Sequence, residues 1–240
     1  TNFDEWSYLA SHLDLINAFG TNTTAAFNHY INYGHQTGRS PDIFDEWSYL
    51  ASNTDLISAL GTNADLATVH YVAYGHATHN KDTFDEWSYL ASNSDLINAF
   101  GTNASAATQH YVAYGYFTHN KDTFDEWSYL ASNSDLINAF GTNTAAATQH
   151  YVAYGHSTHN KDTFDEWSYL ASNSDLIVAF GGNTVAATQH YVAYGHSTHN
   201  KNTFDAVRYL SLHHDLQLAY GNNYEAAKMH YVPVSYTHLR

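Results

Sequence analysis

The sequence has no cysteine, few basic residues and no long apolar run. Without cysteine, disulfides, thiolate metal sites and cysteine nucleophiles are excluded. Only 8 Lys and Arg stand against 23 Asp and Glu, and the resulting formal net charge of −15 repels nucleic acid and anionic membranes. With no apolar run of about 18 residues, no membrane-spanning helix is predicted. Phosphate loops, serine nucleophile elbows and zinc-protease motifs are also missing.

What the chain does contain is one segment repeated along its whole length. The stretch 44–52, which reads FDEWSYLAS, returns from Phe84, Phe124 and Phe164, with an earlier copy from Phe3 and a degraded one from Phe204. We therefore divide the chain into repeats 1–41, 42–81, 82–121, 122–161 and 162–201 and a partial repeat 202–232. A period of this length is typical of arrays in which each unit is stabilised by packing against its neighbours. It also argues against an enzyme, because catalysis needs different residues converging from different places.

Each repeat shows three short helical patterns and no strand alternation, so the predicted fold class is all-α. In repeat 3 the first apolar stripe is Phe84, Trp87, Leu90 and Ala91. Helices this short are marginal alone. We therefore expect tandem repeats of three short helices, stacked as a solenoid or as a bead-like helical array.

Capping signals place the ends of these helices. Asp82 or Thr83 is expected to cap the first helix, and Asn93 the second. Gly101 is the natural end of the second helix, and Asn103 precedes the third, which is predicted to run over 104–114.

Aromatic residues, at 16% of the chain, are expected to supply much of the core. The predicted core and junction positions, with their equivalents in other repeats, are Phe84, Trp87, Leu90, Leu96, Ile97, Phe100, His110, Tyr111 and Tyr114.

Three histidines recur with fixed spacing in three repeats, and neutral imidazoles suit zinc, copper or nickel. A metal-binding array is therefore one hypothesis, and its candidate ligands are His70, His76, His79, His150, His156, His159, His190, His196 and His199. Against it, repeat 3 has Tyr116 in the middle position, and repeat 1 has only His29 and His35. The first histidine of each set also lies on an apolar stripe, where a core imidazole bonded to a carbonyl or an Asp is the alternative.

The carboxylates and aromatics have simpler explanations beside functional ones. Three acids recur along the chain, in repeat 2 as Asp45, Glu46 and Asp55. Their spacing does not match that of a calcium-binding loop. Helix capping and favourable interaction with the positive end of the helix dipole explain them. The tryptophans could form a ladder that stacks sugars, which would make the chain a carbohydrate-binding aromatic array. The alternative is that each Trp, three residues after a Phe, is core.

Both ends of the sequence have features of their own. It begins without Met on a repeat boundary, as expected for an excerpt of a longer protein. Residues 234–240 resemble a translated sequencing adapter, which predicts an artefactual tail, 233–240, on a sequence assembled from environmental (metagenomic) reads. We assign no function to His238 or Arg240.

The repeat resembles a known family through its pattern Tyr-Leu-Ala-Ser, Asp-Leu-Ile, Ala-Phe-Gly, Asn, Ala-Ala, His-Tyr, Tyr-Gly, carried in repeat 4 by residues 129–132, 135–137, 139–141, 143, 146–147, 150–151 and 154–155. It is similar to the tandem repeats of about forty residues in large secreted RTX-type bacterial proteins. The resemblance implies an extracellular or cell-surface protein. The glycine-rich calcium nonapeptides of such proteins do not occur here, so calcium dependence is not implied.

Together these features predict a non-enzymatic structural array without a cofactor: a spacer, adhesin stalk or filament-forming segment. Its expected partners are neighbouring repeats and, head to tail, identical chains. Nucleic-acid binding and membrane insertion are not expected.

Overall fold

The computed structural model describes residues 3–239. Thr1 and Asn2, at the start of the predicted first repeat, and Arg240, at the end of the predicted tail, lie outside the described residues. Contacts divide the chain into two compact units, one ending at Thr123 and the other beginning at Phe124. Residues 3–239 form helices and turns without a β-strand, which confirms the predicted all-α repeat fold. Within that range no helix has the length and apolar character needed to cross a bilayer.

Each repeat contributes three helices, which we call its A, B and C helices in chain order. In the first unit they are α1 (Glu5–Ser11), α2 (Leu13–Phe19), α3 (Thr23–His29), α4 (Glu46–Ser52), α5 (Thr54–Leu60), α6 (Ala64–Ala73), α7 (Glu86–Ser92), α8 (Ser94–Phe100) and α9 (Ala104–His110). In the second unit they are α10 (Glu126–Ser132), α11 (Ser134–Phe140), α12 (Thr144–Ala153), α13 (Glu166–Ala171), α14 (Ser174–Phe180), α15 (Thr184–Ala193), α16 (Ala206–Leu212), α17 (His214–Tyr220) and α18 (Tyr224–Leu239).

The caps show why each helix starts where it does. Asp85, not Asp82 or Thr83, caps the A helix of repeat 3, and its Oδ1 accepts from the backbone N–H of Trp87 at 3.0 Å. The predicted cap was wrong because the residues before it are extended: the N–H groups of Thr83 and Phe84 donate to Ser52 Oγ of the preceding repeat, at 2.7 and 3.1 Å. The A helix of repeat 3 therefore begins at Glu86, after the extended segment that contacts the preceding repeat.

The B and C helices follow the sequence signals more closely. Gly101 ends the B helix with a φ of 58°, a left-handed conformation that favours glycine. Asn103 Oδ1 caps the C helix by accepting from Ala106 N–H at 3.1 Å. Asn93, in contrast, makes no side-chain cap. Its amide instead donates to the carbonyls of Tyr89 (2.7 Å) and Asn120 (2.8 Å), tying the end of the A helix to the loop that leaves the repeat.

The A helix is the central element of the stack inside each unit. In the first unit α1 packs against α3 and α6, and α4 against α6 and α9. In the second unit α10 packs against α12 and α15, and α13 against α15 and α18. Each of these A helices thus lies between the C helix of its own repeat and the C helix of the next. This explains why Ser128, Tyr129, Leu130 and Ala131, four consecutive residues, are all buried.

The core differs from the predicted one at three kinds of position. Tyr89, which the single apolar stripe omitted, is fully buried, whereas the predicted core residue Tyr114 is 68% exposed. Trp87, Phe100 and His110 are half-buried. The C helix and the π-helical segment Tyr111–Gly115 that continues it explain the Tyr114 error. Together they bury Ala107, Thr108, Tyr111 and Val112, a face that leaves Tyr114 outside.

Candidate functional site

A buried tyrosine and a glycine form the centre of the most polar cluster in each repeat. In repeat 4 the Tyr129 hydroxyl lies 2.9 Å from Nδ1 of His150 on the C helix. The turn after that helix brings Gly155 directly over the hydroxyl, and a Cβ built on Gly155 would lie only 1.9 Å from it. The glycine at the end of the sequence pattern is therefore a close-packing requirement, whereas the Tyr154 before it is exposed. The glycine also closes the hydroxyl off from any substrate.

The cluster continues outward through a second histidine. The rings of His150 and His159 meet edge to face with centroids 5.0 Å apart. Nε2 of His159 donates to Asp135 Oδ2 of the B helix at 3.0 Å, and its Nδ1 lies 2.8 Å from Thr158 Oγ1. The chain Tyr129–His150–His159–Asp135 thus joins all three helices of the repeat and its exit loop.

Burial and hydrogen bonding set the charge states in this cluster. Burial raises the pKa of Tyr129 well above its usual range, so the phenol stays protonated. Burial, followed by the charge of His159, lowers the pKa of His150 and favours the neutral imidazole. The hydrogen bond from His159 lowers the pKa of Asp135 and keeps it ionised. The interior of the cluster therefore holds a protonated phenol and a neutral imidazole, and an ionised acid lies at its exposed end.

The middle histidine of each three-histidine set lies apart from this chain. His156 donates through Nδ1 to the carbonyl of Tyr151 at 3.3 Å, and its ring contacts Tyr151 with centroids 6.4 Å apart. The structure therefore brings two members of each complete set together and directs the third elsewhere. The adjacent pairs are His70 with His79, His150 with His159, and His190 with His199. His76 follows the same pattern as His156, and the His196 ring lies against Tyr191.

Other repeats show what the outer histidine is used for. In repeat 1 Gly38 stands at the position of the third histidine, and Arg39, one residue further on, pairs with the B-helix residue Asp14 at 2.8 Å. Repeat 3 keeps His119, bonded to Asp95 at 3.1 Å, although its middle position is Tyr116. A cationic or hydrogen-bonding side chain toward the B-helix Asp satisfies this position, and an arginine could not serve as a metal ligand.

Within residues 3–239 no three or more His, Asp or Glu side chains form a group that could hold a metal ion. Binding of zinc, copper or nickel stays a prediction of the sequence pattern, and metal analysis of the purified protein tests it.

The aromatic residues form two sets that differ in exposure. Each interior repeat stacks a junction Phe on a C-helix Tyr, as in Phe124 and Tyr151 with centroids 4.5 Å apart. The Lys161 ammonium lies 5.5 Å from the centre of the Phe124 ring and covers this stack. One tyrosine in each of the first five repeats stays open to solvent, with 65–71% of its surface exposed; these are Tyr33, Tyr74, Tyr114, Tyr154 and Tyr194. The sequence reasoning missed this set because it assigned Tyr114 to the core.

Comparison of the chain with protein-family models, with curated proteins and with solved structures finds no match. The resemblance to secreted repeats therefore depends on the residue pattern of the repeat, as given for repeat 4.

Proposed function

We propose that this chain is a non-enzymatic structural array of an extracellular or cell-surface bacterial protein, acting as a spacer, adhesin stalk or filament-forming segment. One observation carries the proposal: A helices lie between C helices of successive repeats. A contact of this kind is heterologous, because it joins two different faces, so it propagates along an axis without closing. The extracellular location comes from the family resemblance.

Exposed apolar side chains at the first repeat form a face that a further A helix would cover. Thr68 and Val72 of α6 are buried where α6 packs against α1 of the preceding repeat. The equivalent positions in repeat 1, Phe27 and Ile31, are 42% and 54% exposed and more apolar or larger than the residues they match. Phe27 and Ile31 form the face on which the A helix of a preceding repeat would pack, and we call it the receiving face. Within residues 3–239 no such helix covers it.

The last repeat leaves the opposite face open. In α16 only Leu210 is buried, whereas Val207 and Leu212 are 58% and 70% exposed. An A helix with an open side and a C helix with an open face are complementary, so a further repeat, of this chain or of an identical one, fits each of them.

Sedimentation velocity and negative-stain electron microscopy test the proposal. We expect the chain to form concentration-dependent linear oligomers. Ile31→Asp should abolish them because it places a charge on the receiving face, while Asn28→Asp, which adds the same charge at a neighbouring exposed position, should leave them intact. A wild-type chain that stays monomeric at every concentration would contradict the filament-forming role.

Carbohydrate binding is the second candidate, and the exposed tyrosine in each of the first five repeats favours it. Exposed aromatic faces stack on sugar rings, although here each ring stands on a turn and not in a groove. A glycan array tests it: binding that is lost when Tyr74 and Tyr114 are both changed to Ala would support this function, and no binding to any glycan would exclude the sugars tested.

A further inference from the structure

A pocket of about 200 Å³ lies at the junction of repeats 4 and 5 inside the second unit. The A helix of repeat 4 supplies Trp127 to its wall, and Trp127 is half-buried, so part of the indole faces the pocket. The C helix of repeat 5 supplies Thr188 to the other side. The complete lining is Asp125, Trp127, Ser128, Glu166, Thr184, Val185 and Thr188.

The pocket carries two carboxylates and no positive charge of its own. Asp125, the cap of α10, is exposed at its mouth, and Glu166 is half-buried. Burial, followed by the charges of three nearby Asp residues that include Asp125, raises the pKa of Glu166. Within the part of the chain that the structure describes, Glu166 forms no ion pair. A partly desolvated acid beside other acids is unfavourable unless a cation joins it.

The next junction along the chain shows which cation fits. Repeat 6 has Lys228 at the position of Thr188, and the Lys228 ammonium pairs with Asp165, the residue equivalent to Asp125. The same ammonium lies 2.6 Å from Glu225, which stands at the position of Val185. The lysine side chain is only 13% exposed. Although burial opposes its charge, the hydrogen bonds to Asp165 and Glu225 raise the pKa of Lys228 and keep it protonated.

The two junctions carry the same number of acids but differ in the cation. The junction with Lys228 has Asp165 and Glu225, and Ala206 stands there in place of Glu166. The junction of repeats 4 and 5 has Asp125 and Glu166, with Thr188 and a cavity in place of the lysine.

We propose that the pocket at the junction of repeats 4 and 5 binds an alkylammonium group, namely the lysine side chain of another protein. The ammonium would lie beside Asp125, as the Lys228 ammonium lies beside Asp165 at the next junction, with Glu166 in place of Glu225 as its second acid, and the methylenes would pack on the Trp127 face. An ammonium over a tryptophan is favoured by the ring quadrupole, and the acids add charge attraction. A divalent metal fits less well, because no group of three or more potential ligands is present among residues 3–239.

The same residue set recurs at two junctions of the first unit. Asp4, Trp6, Glu46 and Thr68 form one, and Asp45, Trp47, Glu86 and Thr108 form the other. Burial raises the pKa of Glu46 and of Glu86 as it does that of Glu166. An array would thus present several ammonium sites, and a lysine-rich partner could engage more than one of them.

Titration with n-butylammonium chloride, followed by the tryptophan indole N–H signals in two-dimensional NMR, tests the proposal with the full chain. We expect the signals of Trp6, Trp47 and Trp127 to shift and that of Trp167 to stay, because Lys228 fills its junction. Thr188→Lys should abolish the Trp127 response alone, with the Trp6 and Trp47 responses as internal controls of folding. Glu166→Gln should weaken the response of Trp127 about fivefold, as expected for a partly exposed charge pair.

Three results would overturn the proposal. An equal response to n-butanol would show apolar partitioning without charge recognition. A Trp127 shift that survives in the folded Thr188→Lys variant would place the probe elsewhere. Displacement of the probe by calcium chloride at concentrations where sodium chloride of equal ionic strength has no effect would assign the carboxylates to a metal.

Discussion

Repeats 5 and 6 have the same three-helix plan, yet they bury very different amounts of it. In α13 of repeat 5, Tyr169 and Leu170 are completely buried, because α13 packs against α15 on one side and α18 on the other. In α16 of repeat 6, Leu210 is the one buried residue, and α17 has none. The B helix shows the same contrast, since Leu176 and Ile177 are buried in repeat 5.

This contrast shows where the stability of a repeat comes from. The local caps are present in both repeats: Asp165 and Asp205 each accept from the backbone N–H three residues on, at 2.7 and 2.9 Å. Local signals therefore suffice to place the helices, whereas the C helix of a following repeat is needed to bury the A helix on its second side. Neighbour contacts, and not the repeat itself, supply much of the apolar burial.

The largest expected effect comes from truncating the central tyrosine in each repeat. Tyr169→Ala should lower the free energy of unfolding by about 3–5 kcal/mol, as buried aromatic truncations do, while Tyr209→Ala should cost about 1–2 kcal/mol because Tyr209 is already half-exposed. Urea unfolding combined with hydrogen exchange measures both, because exchange resolves individual repeats. Equal losses would show that the following repeat adds nothing to burial.

A second test uses the glycine above the tyrosine. Gly195→Ala should destabilise by about 1–3 kcal/mol, because its Cβ would lie 1.9 Å from the Tyr169 hydroxyl oxygen. Gly182→Ala is the matched control, since a Cβ there makes ordinary contact with Trp167 at 3.5 Å. Thermal unfolding of the two variants distinguishes close packing at one site from a general cost of replacing glycine. The close-packing account fails if both variants unfold at the same temperature.

The buried asparagine gives a smaller contrast between the same two repeats. Asn173 donates to the carbonyls of Tyr169 (2.7 Å) and Asn200 (2.8 Å), and the first of these bonds is buried. Asn173→Ala removes both donors and should cost about 1–3 kcal/mol. His213 stands at this position in repeat 6 and is exposed, so His213→Ala should change stability by less than about 0.5 kcal/mol. Urea midpoints measure the difference, and a larger loss for His213→Ala would reverse the expected order.

The smallest effect is a dependence of stability on pH. Burial, followed by the charge of His199, lowers the pKa of His190, so the unfolded chain binds a proton there more readily than the folded one. This contribution is complete above the ordinary histidine pKa of about 6.5 and is lost as pH falls below it. Asp175, whose pKa the His199 hydrogen bond lowers, loses its contribution only at more acid pH. Burial raises the pKa of Glu166, which acts in the opposite direction, with stability falling as pH rises from about 4.5.

Unfolding midpoints measured from pH 7.5 to 5.5 should therefore decline, since this range lies above the one in which the Asp175 effect operates. NMR titration of His190 gives the site-specific result. A His190 pKa at or above that of a free histidine would contradict the assignment of a buried neutral ring.

Much of the fold could be predicted from the repeat period and a few local signals, because these depend on adjacent residues. Gly101 and Asn103 marked real helix ends for this reason. Tyr89 was missed because the prediction assumed that the A helix buries one face. The helix packs between two C helices and buries consecutive residues, so a single apolar stripe does not include every core residue. Recurrence could have found it, since a tyrosine stands at this position in every A helix, after Ser in repeats 1 to 5 and after Arg208 in repeat 6. The partner of His150 was not predicted: the sequence offered a carbonyl or an Asp, and the structure places the Tyr129 hydroxyl there.

The pocket at the repeat junction could not be predicted from one repeat at all. It combines Asp125 and Trp127 from repeat 4 with Glu166 and Thr188 from repeat 5, residues about 40 to 60 positions apart that share no local pattern. The proposal that it binds an ammonium depends on comparing Thr188 with Lys228. That comparison requires knowing that both positions face the A helix of the preceding repeat. Only the stacking order of the helices provides that.

The most direct measurement is the midpoint of thermal unfolding, by circular dichroism, for a single repeat (162–201), a pair (122–201) and the whole chain. If neighbours supply the missing burial, the single repeat should be largely unfolded at 25 °C and the midpoint should rise with each added repeat. A single repeat that folds cooperatively, with the midpoint of the whole chain, would contradict the account.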